Sequence, residues 1–140
     1  MSTLTAEQKE FLLQGTRTGK LATVRKDGRP HVVPIWFILD GDTLIFNTGD
    51  ATVKAANIRR DARVTICVDD ENPPFSFIIV EGTAALEKNS KDLKLWATRI
   101  GGRYMSSDKA EQFGERNSTP EELVVRVTPT KVIFARDLAE

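Results

Sequence analysis

Apolar and polar residues alternate through much of the chain, and that alternation predicts strands more often than helices. Lys20 to Lys26 puts Leu21 and Thr23 on one face and Ala22 and Val24 on the other. Asp27-Gly28 then reads as a hairpin turn, because glycine supplies the positive φ such turns need. A second strand is expected over 30–39, through His31-Val32-Val33-Pro34-Ile35-Trp36-Phe37. Asp40-Gly41-Asp42 turns the chain into a third strand, Thr43 to Thr48. Strands four and five are expected over 62–69 and 75–86, separated by the polar, proline-marked loop that ends at Pro73-Pro74. Gly82 marks a bend or bulge in the fifth. The last strand is expected over 123–135, kinked at Pro129. Pro34 cannot donate to a ladder, so it implies an edge, a bulge or a break. A bulge there would open a barrel towards a ligand; an edge position would only blunt the sheet.

Helical spacing appears in shorter pieces. Thr5-Ala6-Glu7-Gln8 has the form of a capping box, and the pattern it starts runs over 6–14 before Gly15. A helix over 51–60 puts Val53, Ala56, Asn57 and Arg60 on one side. Another, over 90–101, carries an apolar stripe of Leu93, Trp96, Ala97 and Ile100 and stops at Gly101-Gly102. Ser107 to Phe113 has the pattern of a further short helix, and Thr119-Pro120 suits one helical turn.

Six punctuated strands with few helices point to a mainly β fold, a small six-stranded antiparallel barrel with helices at its edges. The 140 residues are enough for one domain, 1–140, and roughly two-thirds of the unfolded surface can be buried without a metal or disulfide staple. Twenty basic residues balance twenty acidic ones, so no global field favours nucleic acid or a membrane surface. No apolar run approaches the ~20 residues of a membrane span. Met1-Ser2-Thr3-Leu4-Thr5 lacks the form of a signal peptide, which makes the cytoplasm the expected location. Cys67 is the only cysteine and His31 the only histidine, which excludes an internal disulfide framework and the usual zinc ligand sets; no metal site is expected. Cys67 reads as a small buried hydrophobe.

Committed chemistry is sparse. No Gly-x-Ser-x-Gly elbow, phosphate loop or dinucleotide fingerprint is present. Glu7, Glu81, Glu87 and Glu122 form no obvious pair in sequence. Histidine is the residue type that titrates near neutrality, so His31 is the candidate acid or base, with a solvent-facing or cleft-lining role as the alternative. The most informative segment is 48–60. Lys54 falls in the first turn of a helix, where the macrodipole disfavours a cation. An anion would resolve the conflict: Lys54, the Thr48 hydroxyl and helix N–H groups could share a phosphate. The alternative is a solvated lysine at a small cost. Arg59, Arg60 and Arg63 form a basic cluster just beyond, either a solvated face or a seat for a second negative group. Trp36 is close enough in strand order to meet a flat ring system.

Taken in order, these segments resemble a known family. Gly28-Arg29-Pro30-His31-Val32-Val33-Pro34-Ile35-Trp36-Phe37 with Asp40-Gly41 is similar to the first hairpin of the pyridoxamine 5'-phosphate oxidase-like FMN-binding split barrels. Lys54-Ala55-Ala56-Asn57-Ile58-Arg59-Arg60-Asp61-Ala62-Arg63-Val64 is similar to that family's phosphate-site helix and the strand after it. Val80-Glu81-Gly82-Thr83-Ala84 and Val125-Arg126-Val127-Thr128-Pro129-Thr130-Lys131-Val132 also fit, so the resemblance covers nearly the whole chain. The Lys-x-x-Asn-Ile-Arg-Arg-Asp form most resembles the members described as coenzyme F420-dependent.

The resemblance implies a homodimeric split barrel with cofactor sites at the subunit interface. It implies an oxidoreductase in which reduced F420 gives a hydride to a conjugated small molecule such as a quinone, an enone or a tetrapyrrole. FMN in the same pocket is the alternative cofactor, and a non-catalytic flavin- or haem-binding module is a further alternative, with His31, Met105 or Cys67 as the side chains able to ligate haem. Thr48, Lys54 and Asn57 would surround the phosphate, with Arg60 nearby. His31, Val32, Val33, Pro34, Ile35 and Trp36 would lie along the ring, and Ser76 and Phe77 would approach from the partner subunit. Two departures set the chain apart from the vitamin B6 oxidases. Val53-Lys54 stands where they carry Arg-Lys, and the chain ends in Phe134-Ala135-Arg136-Asp137-Leu138 with no Arg-x-His segment.

Overall fold

The computed structural model describes residues 3–140. Met1 and Ser2, part of the reading against a signal peptide, lie outside the described residues. The elements run α1 (Ala6–Leu13), β1 (Gly19–Val24), β2 (Pro30–Ile35), β3 (Ile38–Asp40), β4 (Thr43–Gly49), α2 (Val53–Arg60), β5 (Arg63–Asp70), β6 (Ser76–Lys88), α3 (Leu93–Met105), a 3-10 turn (Ser107–Lys109), α4 (Ala110–Arg116) and β7 (Glu122–Ala135). The Thr5–Gln8 capping box forms as expected. The Thr119-Pro120 segment makes a turn rather than a helix, with the Glu122 N–H donating to the Thr119 carbonyl.

The strands form one antiparallel sheet in the order β2-β1-β5-β6-β7-β4-β3. Its two edges, β2 and β3, are halves of the segment expected as one strand over 30–39. Taken as one bent strand they restore the six expected strands. The first half pairs with β1 and the second with β4, so the bend closes the sheet on itself. Pro34 satisfies both readings: it sits on an edge strand, and the strand breaks two residues later.

The break has a specific cause. Phe37 is fully buried, and its backbone groups find partners outside the ladder. Its N–H donates to the Tyr104 hydroxyl at 3.2 Å and its carbonyl accepts from Arg103 Nη1 at 2.6 Å. The same guanidinium reaches the Leu12 and Gly15 carbonyls, and Tyr104 donates to the Arg17 carbonyl at 2.7 Å. The end of α3 thus ties α1, the loop after it and the strand break together.

The barrel interior is filled by Leu21, Leu44, Phe46, Ile66, Val68, Ile78, Val80, Val125 and Val127, with Leu12 of α1 and Phe37. A second core lies on the opposite face of β4 and β7, where Ile45 and Val124 meet Leu93, Trp96 and Ile100 of α3. Strands buried on both faces explain the runs Leu44-Ile45-Phe46 and Leu123-Val124-Val125. Gly82 is the expected bulge: the β6–β7 register shifts between Glu81 and Gly82, and a Cβ at Gly82 would lie 2.6 Å from the Thr128 carbonyl oxygen. Gly101-Gly102 does not stop α3. A Cβ at Gly101 would meet that of Phe113 at 2.5 Å, so the glycine lets α4 pack close. Of the side of α2 that the sequence grouped, Asn57 alone is buried. Val53 and Ala56 are exposed, and the helix docks through Ala55, Asn57 and Ile58. Among the described residues, no helix is long and apolar enough to cross a membrane.

Candidate functional site

A cleft of about 250 Å³ opens where the β2 strand ends, the α2 helix starts and β7 begins. Pro34, Ile35 and Trp36 form one wall, Lys54 another, and Ile100 of α3 an apolar patch. Asn47, Asn117 and Glu122 supply the remaining polar surface. Trp36 is held by stacking on Tyr104, with ring centroids 5.1 Å apart and planes 4° from parallel.

Lys54 is the second residue of α2. Thr52 caps that helix, its Oγ1 accepting from the Ala55 N–H at 3.3 Å and lying 3.0 Å from Thr48 Oγ1. The first N–H groups of the helix have no intrahelical acceptor, so this end of the helix favours an anion, and Lys54 is the residue of its first turn that lines the cleft. Lys54 is half-buried, and burial lowers its pKa against the smaller raising effect of Glu122. Among the described residues no carboxylate stands within ion-pair distance of its ammonium. Glu122 lies opposite Gly49 in the β4–β7 register. Its Oε1 accepts from Asn47 Nδ2 at 3.0 Å, and its Oε2 lies against the Gly49 backbone, 3.5 Å from where a Cβ would be. Burial raises its pKa; the Asn47 hydrogen bond and Lys54 only partly offset this, and Asp50 and Glu121 add to the rise. In both groups burial outweighs their mutual attraction.

Of the residues expected around a cofactor, Pro34, Ile35, Trp36 and Lys54 line this cleft together. Thr48 is adjacent but buried, its hydroxyl paired with Thr52. Asn57 and Arg60 form a bracket between α2 and β1. Asn57 Nδ2 donates to Thr23 Oγ1 at 3.0 Å, and Arg60 Nη2 donates to Asn57 Oδ1 and to the Val24 carbonyl. His31 pairs with Thr23 across the β1–β2 ladder, and its Nδ1 is buried without a hydrogen-bond partner. Val32 is exposed on the outer face, and Val33 packs against the barrel core. Ser76 and Phe77 start β6 and do not line the cleft. The other guanidiniums of the basic cluster are engaged as well: Arg59 donates to the Asp50 carbonyl and Arg63 pairs with Asp61, which holds that carboxyl down to about 2. Cys67 is only half-buried, on the outer face of β5, and burial raises its thiol pKa.

Sequence reasoning missed Asn47, Ile100, Asn117 and Glu122. Ile100 was legible as part of a helix stripe, but nothing in the sequence aimed that stripe at Lys54. Glu122 is 68 residues from Lys54 and reaches it only through the β4–β7 register. A larger groove of about 580 Å³, floored by Ala22, Thr65 and Gly82, holds none of the expected cofactor residues.

The donor set suits a phosphate-bearing ring. Lys54 matches the charge of a phosphate, and the Pro34–Trp36 wall with Ile100 matches a flat apolar surface. Comparisons with known proteins identify the family. The model of the pyridoxamine 5'-phosphate oxidase family matches residues 4–136, and the chain belongs to that family. An F420 reductase of solved structure is 27% identical, with a TM-score of 0.71 over 89% of this chain and 94% of that one. A conserved hypothetical protein from Mycobacterium tuberculosis is 24% identical, with a TM-score of 0.84 over 100% of this chain and 90% of that one. The haem storage protein of Vibrio cholerae is 19% identical, with a TM-score of 0.72 over 96% of each chain. The last two likenesses show the shared fold.

Proposed function

From that family membership and the Lys54 cleft, we propose an oxidoreductase that uses reduced coenzyme F420 to deliver a hydride to a conjugated small molecule such as a quinone, an enone or a tetrapyrrole. The observation that carries the reading is Lys54: a half-buried ammonium without an ion-pair partner among the described residues, at a helix N-terminus, in one cleft with Trp36. When bound, the deazaflavin supplies the hydride chemistry. The chain's own residues do the rest. Lys54 and the start of α2 hold the phosphate, and Thr48 and Thr52 fix the turn that presents them. Pro34, Ile35 and Trp36 set the plane of the ring, and Ile100 excludes water from its edge. The F420 reductase among the solved relatives supports the deazaflavin; the family as a whole supports FMN as the second reading. A haem module has less support at this cleft, because His31, Met105 and Cys67 do not line it.

The working form in this reading is a cytoplasmic homodimer. A 250 Å³ cleft falls below the ~300 Å³ lower bound of ordinary ligand pockets, so one protomer covers only part of a deazaflavin. The outer face of β1, β5, β6 and β7 carries Ala22, Cys67, Phe77, Ile79 and Ile133 among the charged Lys20, Asp69, Glu81 and Lys131, a mixed surface of the kind a second copy covers.

The test is a titration of apo-protein with F420 and with FMN, followed by Trp36 fluorescence at fixed salt. Tighter binding of F420 supports the proposal, and preference for FMN moves the chemistry to flavin. Lys54→Ala should weaken the bound cofactor by roughly 1.5–3 kcal/mol, the worth of a charge-assisted phosphate hydrogen bond. An unchanged affinity removes Lys54 from the phosphate site.

A further inference from the structure

We propose that Glu122 sets the charge of the anion that the cleft accepts, favouring a phosphate diester over a monoester; the proposal rests on the cofactor reading above. Glu122 shares the cleft with Lys54, so the cavity offers one cation beside one carboxylate rather than a purely basic pocket. The carboxylate is built in. Asn47 donates to one oxygen at 3.0 Å, the other faces Gly49, and Glu122 is paired with Gly49 at the end of the β4–β7 ladder. The remaining charged groups facing it are Lys54 of α2, Asp50 after β4, and Glu121 beside it in the turn before β7. Asp50 is itself paired with Lys88 at 3.5 Å, which leaves Lys54 as the cation open to a ligand.

A phosphate monoester such as that of FMN carries close to two negative charges near neutral pH. The phosphate of F420 is a diester and carries one. Lys54 can balance one charge; a second adds to the negative charge already facing Glu122. One further like-charge contact at a partly solvated site weakens binding by about tenfold. Glu122 thus separates two ligands whose rings have nearly the same shape and which Lys54 alone cannot tell apart.

The experiment measures the affinities of F420, FMN and riboflavin for wild type and Glu122→Gln at fixed salt and pH 7.5. The amide keeps the Oε1 that accepts from Asn47 and removes the charge. Wild type should prefer F420, and in the variant the F420-to-FMN preference should shrink about tenfold while riboflavin, which has no phosphate, stays unchanged. An unchanged preference, or an equal shift for riboflavin, overturns the role of Glu122 and leaves the cofactor reading standing. Wild type that binds neither F420 nor FMN overturns both. Far-UV circular dichroism spectra of the variant that overlay those of wild type exclude misfolding as the source of any change.

Discussion

Replacing Arg103 by methionine removes a side chain that holds α3, the end of α1 and the strand break together. Its guanidinium donates to the Phe37 carbonyl at 2.6 Å and the Leu12 carbonyl at 2.8 Å. Contacts with the Gly15 and Arg17 carbonyls, at 3.0 and 3.4 Å, are exposed or long and count for little. The plane also lies over the rings of Phe37 and Tyr104, 4.7 and 4.8 Å from their centroids, a packing that methionine partly keeps. Hydrogen bonds to a charged donor are worth about 1.5–3 kcal/mol each, so losing the two short ones at the low end costs about 3 kcal/mol. Relief from holding a half-buried charge returns about 1 kcal/mol. The net loss of about 2 kcal/mol should lower Tm by about 6 °C for a chain of this size. The assay is thermal unfolding by far-UV circular dichroism, run with Tyr104→Phe and the double variant. Both side chains grip Phe37, so the double-mutant cycle should show a coupling of at least about 0.5 kcal/mol. A Tm within 1–2 °C of wild type (about the scatter of such melts), or strict additivity, refutes the claim that this pair imposes the break at residues 36–37.

Gly82→Ala should destabilise the fold by about 2–3 kcal/mol, read as a lower urea midpoint, because the new methyl would sit 2.6 Å from a backbone carbonyl that cannot move aside. Melts across pH should separate wild type from Glu122→Gln with a definite sign. The folded carboxyl has a raised pKa, so the folded state binds its proton more tightly than the unfolded state does. Its contribution is therefore most favourable below the unfolded value near 4.5 and is lost as pH rises through the raised folded value. The variant should gain on wild type between pH 4 and pH 8, and a constant difference would show that Glu122 ionises as freely folded as unfolded.

Much of the fold was legible because it depends on local chemistry. The Thr5 capping box, the Asp27-Gly28 hairpin, the Gly82 bulge and the strands over 43–48, 62–69 and 123–135 arise from neighbours in sequence. So does Lys54 in the first turn of a helix, the feature on which the proposed phosphate site rests. Three other outcomes needed distant residues. The strand over 30–39 breaks because Arg103 and Tyr104, more than sixty residues on, satisfy the backbone of Phe37. Gly101-Gly102 reads as a helix stop locally, yet α3 continues because Phe113 packs against it. Asn57, grouped by its motif with a phosphate site, is held by Thr23 across to β1. Glu122 shows the same limit most sharply: nothing near it in the chain marks it, and strand register alone carries it to Lys54. Periodicity and turn chemistry act over a few residues, so the sequence by itself determined which segments become strands and helices and where a cation meets a helix end. Register, burial and charge pairing act across the folded chain, so only the tertiary structure decided where the barrel bends and which carboxylate shares the cleft.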